Sequence, residues 1–207
     1  MAAPRFLIVN ADDLGLTPAV NAGVFEAHAH GIVTSASLMV ERPATAAAVE
    51  GLAVHPDLAV GFHLEPGDCR AQLERFRDLV GRDPTHVDSH KHVHEAEPVK
   101  AVAEEIASEL GVPLRSRAIR YEASFYGRRG GEPAPEAISP EHLIELIRSL
   151  PPGWTEIGCH PAAGPVPTSS YDAERRIELQ TLTDSRVKAL LNVSDVRLCS
   201  FAQVEAR

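Results

Sequence analysis

Acids and imidazoles in this 207-residue chain gather in four short stretches. Asp12 and Asp13 are adjacent. Two carboxylates directed into one site repel each other, so a cation or a shared proton is expected between them. His63 follows Gly61 and Phe62 at the end of a third β-rich run. The nine residues from His86 to His94 hold four histidines and Asp88, a density that packing does not require. Period-two alternation puts His86, Asp88 and His90 on one face of a strand, and His92 and His94 keep that phase only if the strand continues. Imidazoles and carboxylates at this density suit metal ligation or acid–base chemistry. His160, just before Pro161, ends another β-rich run. The remaining histidines, His28, His30, His55 and His142, fall on helical patterns or loops and read as surface residues. Cys159 precedes His160, but adjacent strand side chains point to opposite faces, which argues against a Cys–His dyad.

These residues need elements that carry them to one place. Apolar and β-branched runs predict strands at 6–10, 32–40, 58–63, 86–90, 113–119, 154–159 and 196–201. Thr17-Pro18 supplies an N-cap followed by proline at the first helical position, and Gly31 stops that helix after His30. Pro43 opens a second helix to about Val54, and 72–80 is helical up to Gly81. After Pro98, the residues Val99, Val102, Ala103, Ile106 and Leu110 follow helical spacing, and Gly111 closes the helix. Ser139-Pro140 caps a helix with Leu143, Ile147 and Leu150 on one side, and 172–181 and 185–191 complete the set. The stretches 121–137 and 161–170 read as loops.

Seven strands alternating with helices predict an α/β fold with a mainly parallel sheet, a (β/α) barrel of about seven strands, with a doubly wound open sheet as the alternative. Both architectures bind ligands at the carboxyl ends of their strands. All four polar stretches fall at those ends, and this convergence is the main functional signal.

Composition narrows the classes. The net charge of −9 argues against a nucleic-acid backbone as partner. The basic residues Arg115, Arg117, Arg120, Arg128 and Arg129 form a local cluster, read as a solvated rim, with Arg117 as the candidate substrate contact. No apolar run is long enough for a membrane span, and three scattered cysteines suggest neither disulfides nor a thiolate zinc site. A single cytoplasmic domain over 1–207 is expected.

Four segments carry a family likeness: NADDLGLTPAVNAGVFEAHAHGIVTSASLMV from Asn10, GFHL from Gly61, PTHVDSHKHVH from Pro84 and EIGCHP from Glu156. In this order they resemble the hallmark segments of the YdjC-like carbohydrate deacetylases. The first and third are specific, and the likeness spans nearly the whole chain. It implies a distorted (β/α) barrel and hydrolysis of an acetyl group from an N-acetylated carbohydrate. It further implies Asp13, His63 and His90 as metal ligands, Asp12 as catalytic base, and His160 as acid or oxyanion partner. Magnesium is the metal implied by the family, although two imidazoles and a carboxylate suit zinc or another transition metal better. One place departs from the pattern. Only Glu65 to Gln72 follows the GFHL strand, where relatives carry a longer segment, and Glu65-Pro66 replaces leucine-threonine. The chitooligosaccharide substrate is therefore not implied.

In that reading Asp12 takes a proton from a metal-activated water, and His160 stabilises the oxyanion or protonates the leaving nitrogen. Two other classes compete. The His86-Val87-Asp88 spacing also suits a 2-His-1-carboxylate iron oxygenase, against which the βα alternation speaks. A non-catalytic metal- or sugar-binding protein is the other, given the short 65–72 connection. A trimmed wall predicts an open site with weak discrimination, or a homodimer whose partner supplies the missing surface. The 121–137 loop is the candidate cover within the chain.

Overall fold

The computed structural model describes residues 3–117 and 119–204. In chain order the elements are β1 (Arg5–Leu14), α1 (Pro18–His30), β2 (Ser35–Leu38), α2 (Thr45–Leu52), β3 (Ala59–Leu64), α3 (Cys69–Val80), β4 (Val87–Ser89), α4 (Val99–Leu110), β5 (Arg120–Glu122), β6 (Arg128–Arg129), β7 (Glu132–Pro133), α5 (Pro140–Ser149), β8 (Gly153–Cys159), α6 (Asp172–Leu182), α7 (Ser185–Val193) and β9 (Val196–Cys199). Short 3-10 turns follow at His90–Glu95, Pro135–Ile138 and Phe201–Gln203.

Seven strands form one parallel sheet in the order β4-β3-β2-β1-β8-β5, with β9 added alongside β1. It curls into a half-barrel wrapped by helices, which bears out the α/β barrel expectation. The hub is β1, whose first half pairs with β8 and β9 and whose second half pairs with β2 and β8. Burial on both faces is what a central parallel strand demands, and Leu7, Ile8, Val9 and Ala11 are fully buried.

Local chemistry sets the boundaries. Thr17 accepts a hydrogen bond from the Val20 amide at 3.2 Å and starts α1. Asp68 caps α3 through the amides of Arg70 and Ala71, so this helix begins earlier than expected, at Cys69. Gly81 and Gly111 end α3 and α4 in the left-handed region, with φ of 75° and 64°. Among the described residues no helix is long and apolar enough to cross a membrane.

The fifth strand differs most from expectation. Among the described residues of 113–119 only Leu114 pairs, as an isolated bridge to Val87. Pro113 lacks a donor and Ser116 has a φ of 64°, which breaks the extended backbone. The ladder with β8 forms instead at Arg120–Glu122. That leaves a gap between β4 and β5, where Arg115 turns inward. Within the expected 121–137 loop, β6 and β7 form a small hairpin over Gly130 and Gly131.

Close approach constrains α1. A Cβ on Gly23 would lie 2.4 Å from the Ala162 Cα, just past His160. Alanine normally favours a helix interior by about 1 kcal/mol over glycine. Here the backbone contact reverses the sign, and Gly23→Ala is expected to lower stability by about 1–3 kcal/mol, as overpacked cores do. Urea unfolding measures it; a more stable variant would show that the helix backs away freely.

Candidate functional site

The carboxyl ends of β1, β3, β4 and β8 meet around a cavity of about 450 Å³. In a regular strand Asp12 and Asp13 would face opposite sides. The β1–β2 register instead slips between Ala11 and Leu14, and Asp13 has a φ of 68°. This is a bulge with its residue in the left-handed region, which aspartate tolerates better than most side chains. The bulge lets both carboxylates line the same cavity.

Asp13, His63 and His90 each offer a ligand atom, all within 4.8 Å of one another. Asp13 Oδ1 lies 2.9 Å from His90 Nδ1 and 3.3 Å from His63 Nε2, while Oδ2 accepts from Arg175 Nη2 at 2.6 Å. His63 is buried, and its Nδ1 lies 2.7 Å from Asp88 Oδ1. Its Nε2 is also buried and has no hydrogen-bond partner. Burial pushes the His63 pKa down, but the charge of Asp88 and the contacts with Asp13 and Asp88 raise it to about 10. The site thus calls for positive charge at Nε2, which a proton or a metal ion can supply. The carboxylate behind Nδ1 is the usual outer partner of a metal-binding imidazole. The donor set therefore fits a divalent metal.

Beside this triad stands Asp12. Its Oδ1 accepts from Asn10 Nδ2 at 2.9 Å and Arg115 Nη2 at 2.7 Å, and its Oδ2 from Arg115 Nη1 at 2.7 Å. A carboxylate has about four lone-pair sites, so Oδ2 retains one. Oδ2 also faces His160 Nε2 at 3.9 Å. Burial raises the Asp12 pKa, but the Arg115 charge and hydrogen bonds outweigh it and hold the pKa below the usual value. On the other side of His160, Nδ1 lies 3.8 Å from Glu178 Oε1, and the His160 amide donates to Glu178 Oε2. Burial lowers the His160 pKa, and Glu178 more than reverses this, so the imidazole holds its proton above the usual range.

All five residues singled out by sequence therefore meet in one cavity. Of the rest of the histidine run, His92 lines the same cavity, and His86 and His94 turn elsewhere. His86 is buried, stacked on Phe201 at 3.8 Å. The 3-10 turn breaks the strand phase, so His94 packs inward against Ser89 Oγ. His86 joins none of the metal-competent clusters among the described residues, which removes the geometric basis for the H-x-D oxygenase reading. Cys159 is buried, its thiol pKa is pushed up by burial, and Sγ donates to Asn10 O rather than pairing with His160.

Three orienting residues escaped sequence reasoning. Arg117, the expected contact, is paired with Glu104 and lines a separate cavity of about 930 Å³ near the amino end of β8. The arginine of this stretch that reaches the site is Arg115, almost fully buried and bonded to Asp12, Asp88 and Glu156. Arg175 and Glu178 lie on α6, whose polar residues Glu174, Arg175, Glu178 and Thr181 are buried. Helical spacing of charged residues ordinarily marks a solvated side, so only their burial reveals them.

A curled parallel half-barrel with a cavity at its strand ends defines the class as an α/β barrel protein. The chain matches the family model described as YdjC-like protein over residues 6–65 and 68–193, and it belongs to that family. The break falls at the short connection after β3. The chain is 34% identical to a carbohydrate deacetylase of Geobacillus stearothermophilus, covering 97% of this chain and 98% of the relative. It is 31% identical to a chitooligosaccharide deacetylase of Klebsiella pneumoniae, covering 97% and 99%. Among solved structures, a protein of Enterococcus faecalis V583 superposes with a TM-score of 0.84 at 26% identity, covering 98% and 100%. A family 4 carbohydrate esterase of Streptomyces lividans shares the fold, with a TM-score of 0.61 at 12% identity, covering 100% and 98%.

Removing the central cation tests the architecture. Arg115→Met leaves Asp12, Asp88 and Glu156 buried without their partner, and a broken buried pair costs about 3–5 kcal/mol. Urea denaturation at neutral pH is expected to show a loss of that size. A change within ~0.5 kcal/mol would mean that the carboxylates find other partners.

Proposed function

We propose that this protein is a metal-dependent hydrolase that removes the acetyl group from an N-acetylated carbohydrate. The observation that carries the reading is the buried, unpartnered His63 Nε2 grouped with Asp13 and His90, beside Asp12 and His160. Relatives named as carbohydrate and chitooligosaccharide deacetylases support the substrate class. The cavity volume of about 450 Å³ lies in the lower part of the roughly 300–1,000 Å³ range of small-molecule sites, which suits a short saccharide.

Asp13, His63 and His90 would hold the metal. Magnesium follows from family likeness, and the two imidazoles favour zinc or cobalt on donor chemistry. A bound divalent metal supplies Lewis acidity, lowering the pKa of water and polarising the acyl oxygen. Asp12 Oδ2 takes a proton from the attacking water as its oxygen bonds to the acyl carbon. Arg115 keeps Asp12 ionised and fixes its aim. As the carbon–nitrogen bond breaks, His160 Nε2 gives its proton to the departing nitrogen, and acetate and a free amine leave. Glu178 stabilises the protonated imidazole before this step.

The two pKa shifts have opposite signs and act together. Asp12 stays ionised as a base down to below the ordinary carboxylate range, and His160 stays protonated as an acid above the ordinary histidine range. A rate plateau through neutral pH is therefore expected, with an alkaline fall as His160 loses its proton.

The direct experiment measures acetate release from a panel of N-acetylated mono- and disaccharides before chelation, after chelation and after metal add-back. Loss and recovery are expected. A purified protein that binds metal or sugar without turnover would favour the non-catalytic reading. Asp12→Asn is expected to retain metal and fold while losing on the order of 10²–10⁴ in kcat. Unchanged turnover would assign the base elsewhere. Asp88→Asn removes the carboxylate behind His63 and is expected to weaken metal affinity by about 10–100-fold, read by metal titration. Unaltered affinity would remove His63 from the ligand set.

A further inference from the structure

The cavity has a feature that the proposed hydrolysis does not use. Tyr126 lines it, and its side chain is one of the few large apolar ones left open, at 42% exposure. One side of its ring lies against Tyr171, with centroids 4.7 Å apart and planes 6° from parallel. Tyr171 cannot easily shift. Its hydroxyl donates to Glu178 Oε1 at 2.5 Å and accepts from the Gly127 amide at 2.6 Å. Tyr126 is thus a braced plate with one covered side and one accessible side. His160 lies beside this stack, its ring centroid 5.8 Å from that of Tyr126 and 5.5 Å from that of Tyr171.

An aromatic ring has a negative face. A pyranose with equatorial substituents presents a patch of axial C–H groups, apolar and weakly positive, that complements such a face. Stacking buries that patch while the equatorial hydroxyls remain free to meet water or polar groups. Rigid support matters because a plate that need not be ordered on binding costs less conformational entropy.

From this we infer that the open side of Tyr126 is a binding platform for a pyranose ring of the substrate. The inference rests on the deacetylase reading above and adds to it the side chain that would hold a sugar ring.

The test uses the complete protein and N,N′-diacetylchitobiose. Tyr126→Ala is expected to raise KM about tenfold, corresponding to loss of one aromatic contact, and to change kcat less. Tyr126→Phe is expected to recover most of the affinity. Tyr126→Leu, which keeps apolar bulk against Tyr171 but has no ring face, is expected to resemble the alanine variant and guards against a packing artefact. In an Asp12→Asn background, saturation-transfer NMR reads binding without turnover, and transfer to the axial C–H protons of one sugar ring is expected to disappear with Tyr126→Ala. Unchanged KM in the alanine and leucine variants, with turnover of the disaccharide intact, overturns the platform alone. If protein with Tyr126 intact gives neither acetate release nor saturation transfer on N-acetylated sugars, the deacetylase reading fails and the platform fails with it.

Discussion

The Arg115 guanidinium is buried among Asp12 of β1, Asp88 of β4 and Glu156 of β8, at the gap where the sheet fails to close between β4 and β5. Ladder hydrogen bonds hold most of the barrel, but at this edge, among the described residues, the backbone offers only the Val87–Leu114 bridge, made by the Val87 amide to Pro113 O and the Arg115 amide to Val87 O. The side chain does the joining. Taking such ions out of water costs several kcal/mol each, so the cluster survives only when complete. One cation against three carboxylates also leaves an excess of negative charge. Burial drives the Glu156 pKa up to about 7 despite Arg115, and His63 is driven to about 10 by Asp88 and Asp13 against its own burial. The interior is built to accept positive charge, and the open ring nitrogen of His63 is where that demand meets the cavity.

Four of the five site residues have a charged neighbour behind them. Arg115 aims Asp12, Arg175 aims Asp13, Asp88 aims His63, and Glu178 backs His160. Pairing of this kind fixes protonation and direction together. A lone buried carboxylate would gain a proton, and a lone buried imidazole would lose one. The neighbours reverse both tendencies, favouring the ionised form of Asp12 and the protonated form of His160, whose atoms lie 3.9 Å apart.

Much of this was legible in sequence, for definite reasons. Strand–helix alternation predicted the barrel, and Thr17, Gly81, Gly111 and Ser139 marked helix ends through chemistry that does not depend on distant contacts. Asp12, Asp13, His63, His90 and His160 were readable because acids and imidazoles at strand ends have few packing reasons to be there. Arg115 was hidden by its company. It stands in an arginine-rich stretch in which Arg117, Arg120 and Arg129 are exposed, and nothing local separates it from Arg117. The bulge in β1 was hidden as well, since strict alternation would have turned Asp12 or Asp13 away. Arg175 and Glu178 became visible only when α6 was seen to bury its polar side.

That buried side of α6 also accounts for how a shortened family member keeps a walled cavity. After β3 the chain has only a short turn, and it is pinned: Glu65 pairs with Arg42, and its backbone exchanges two hydrogen bonds with the Gln72 amide. It cannot act as a lid. The wall comes from the segment following β5, where Phe125 and Tyr126 enter the cavity and Arg128 ties the hairpin to Glu174 of α6 and to Ser170 O just before it. The same helix presents Arg175 to Asp13 and Glu178 to both His160 and Tyr171. A shift of α6 along its axis would therefore move Asp13, His160 and the stacked Tyr171 and Tyr126 rings together. The cavity residues share one support here, so the segment after β5 cannot be remodelled without also disturbing Asp13 and His160.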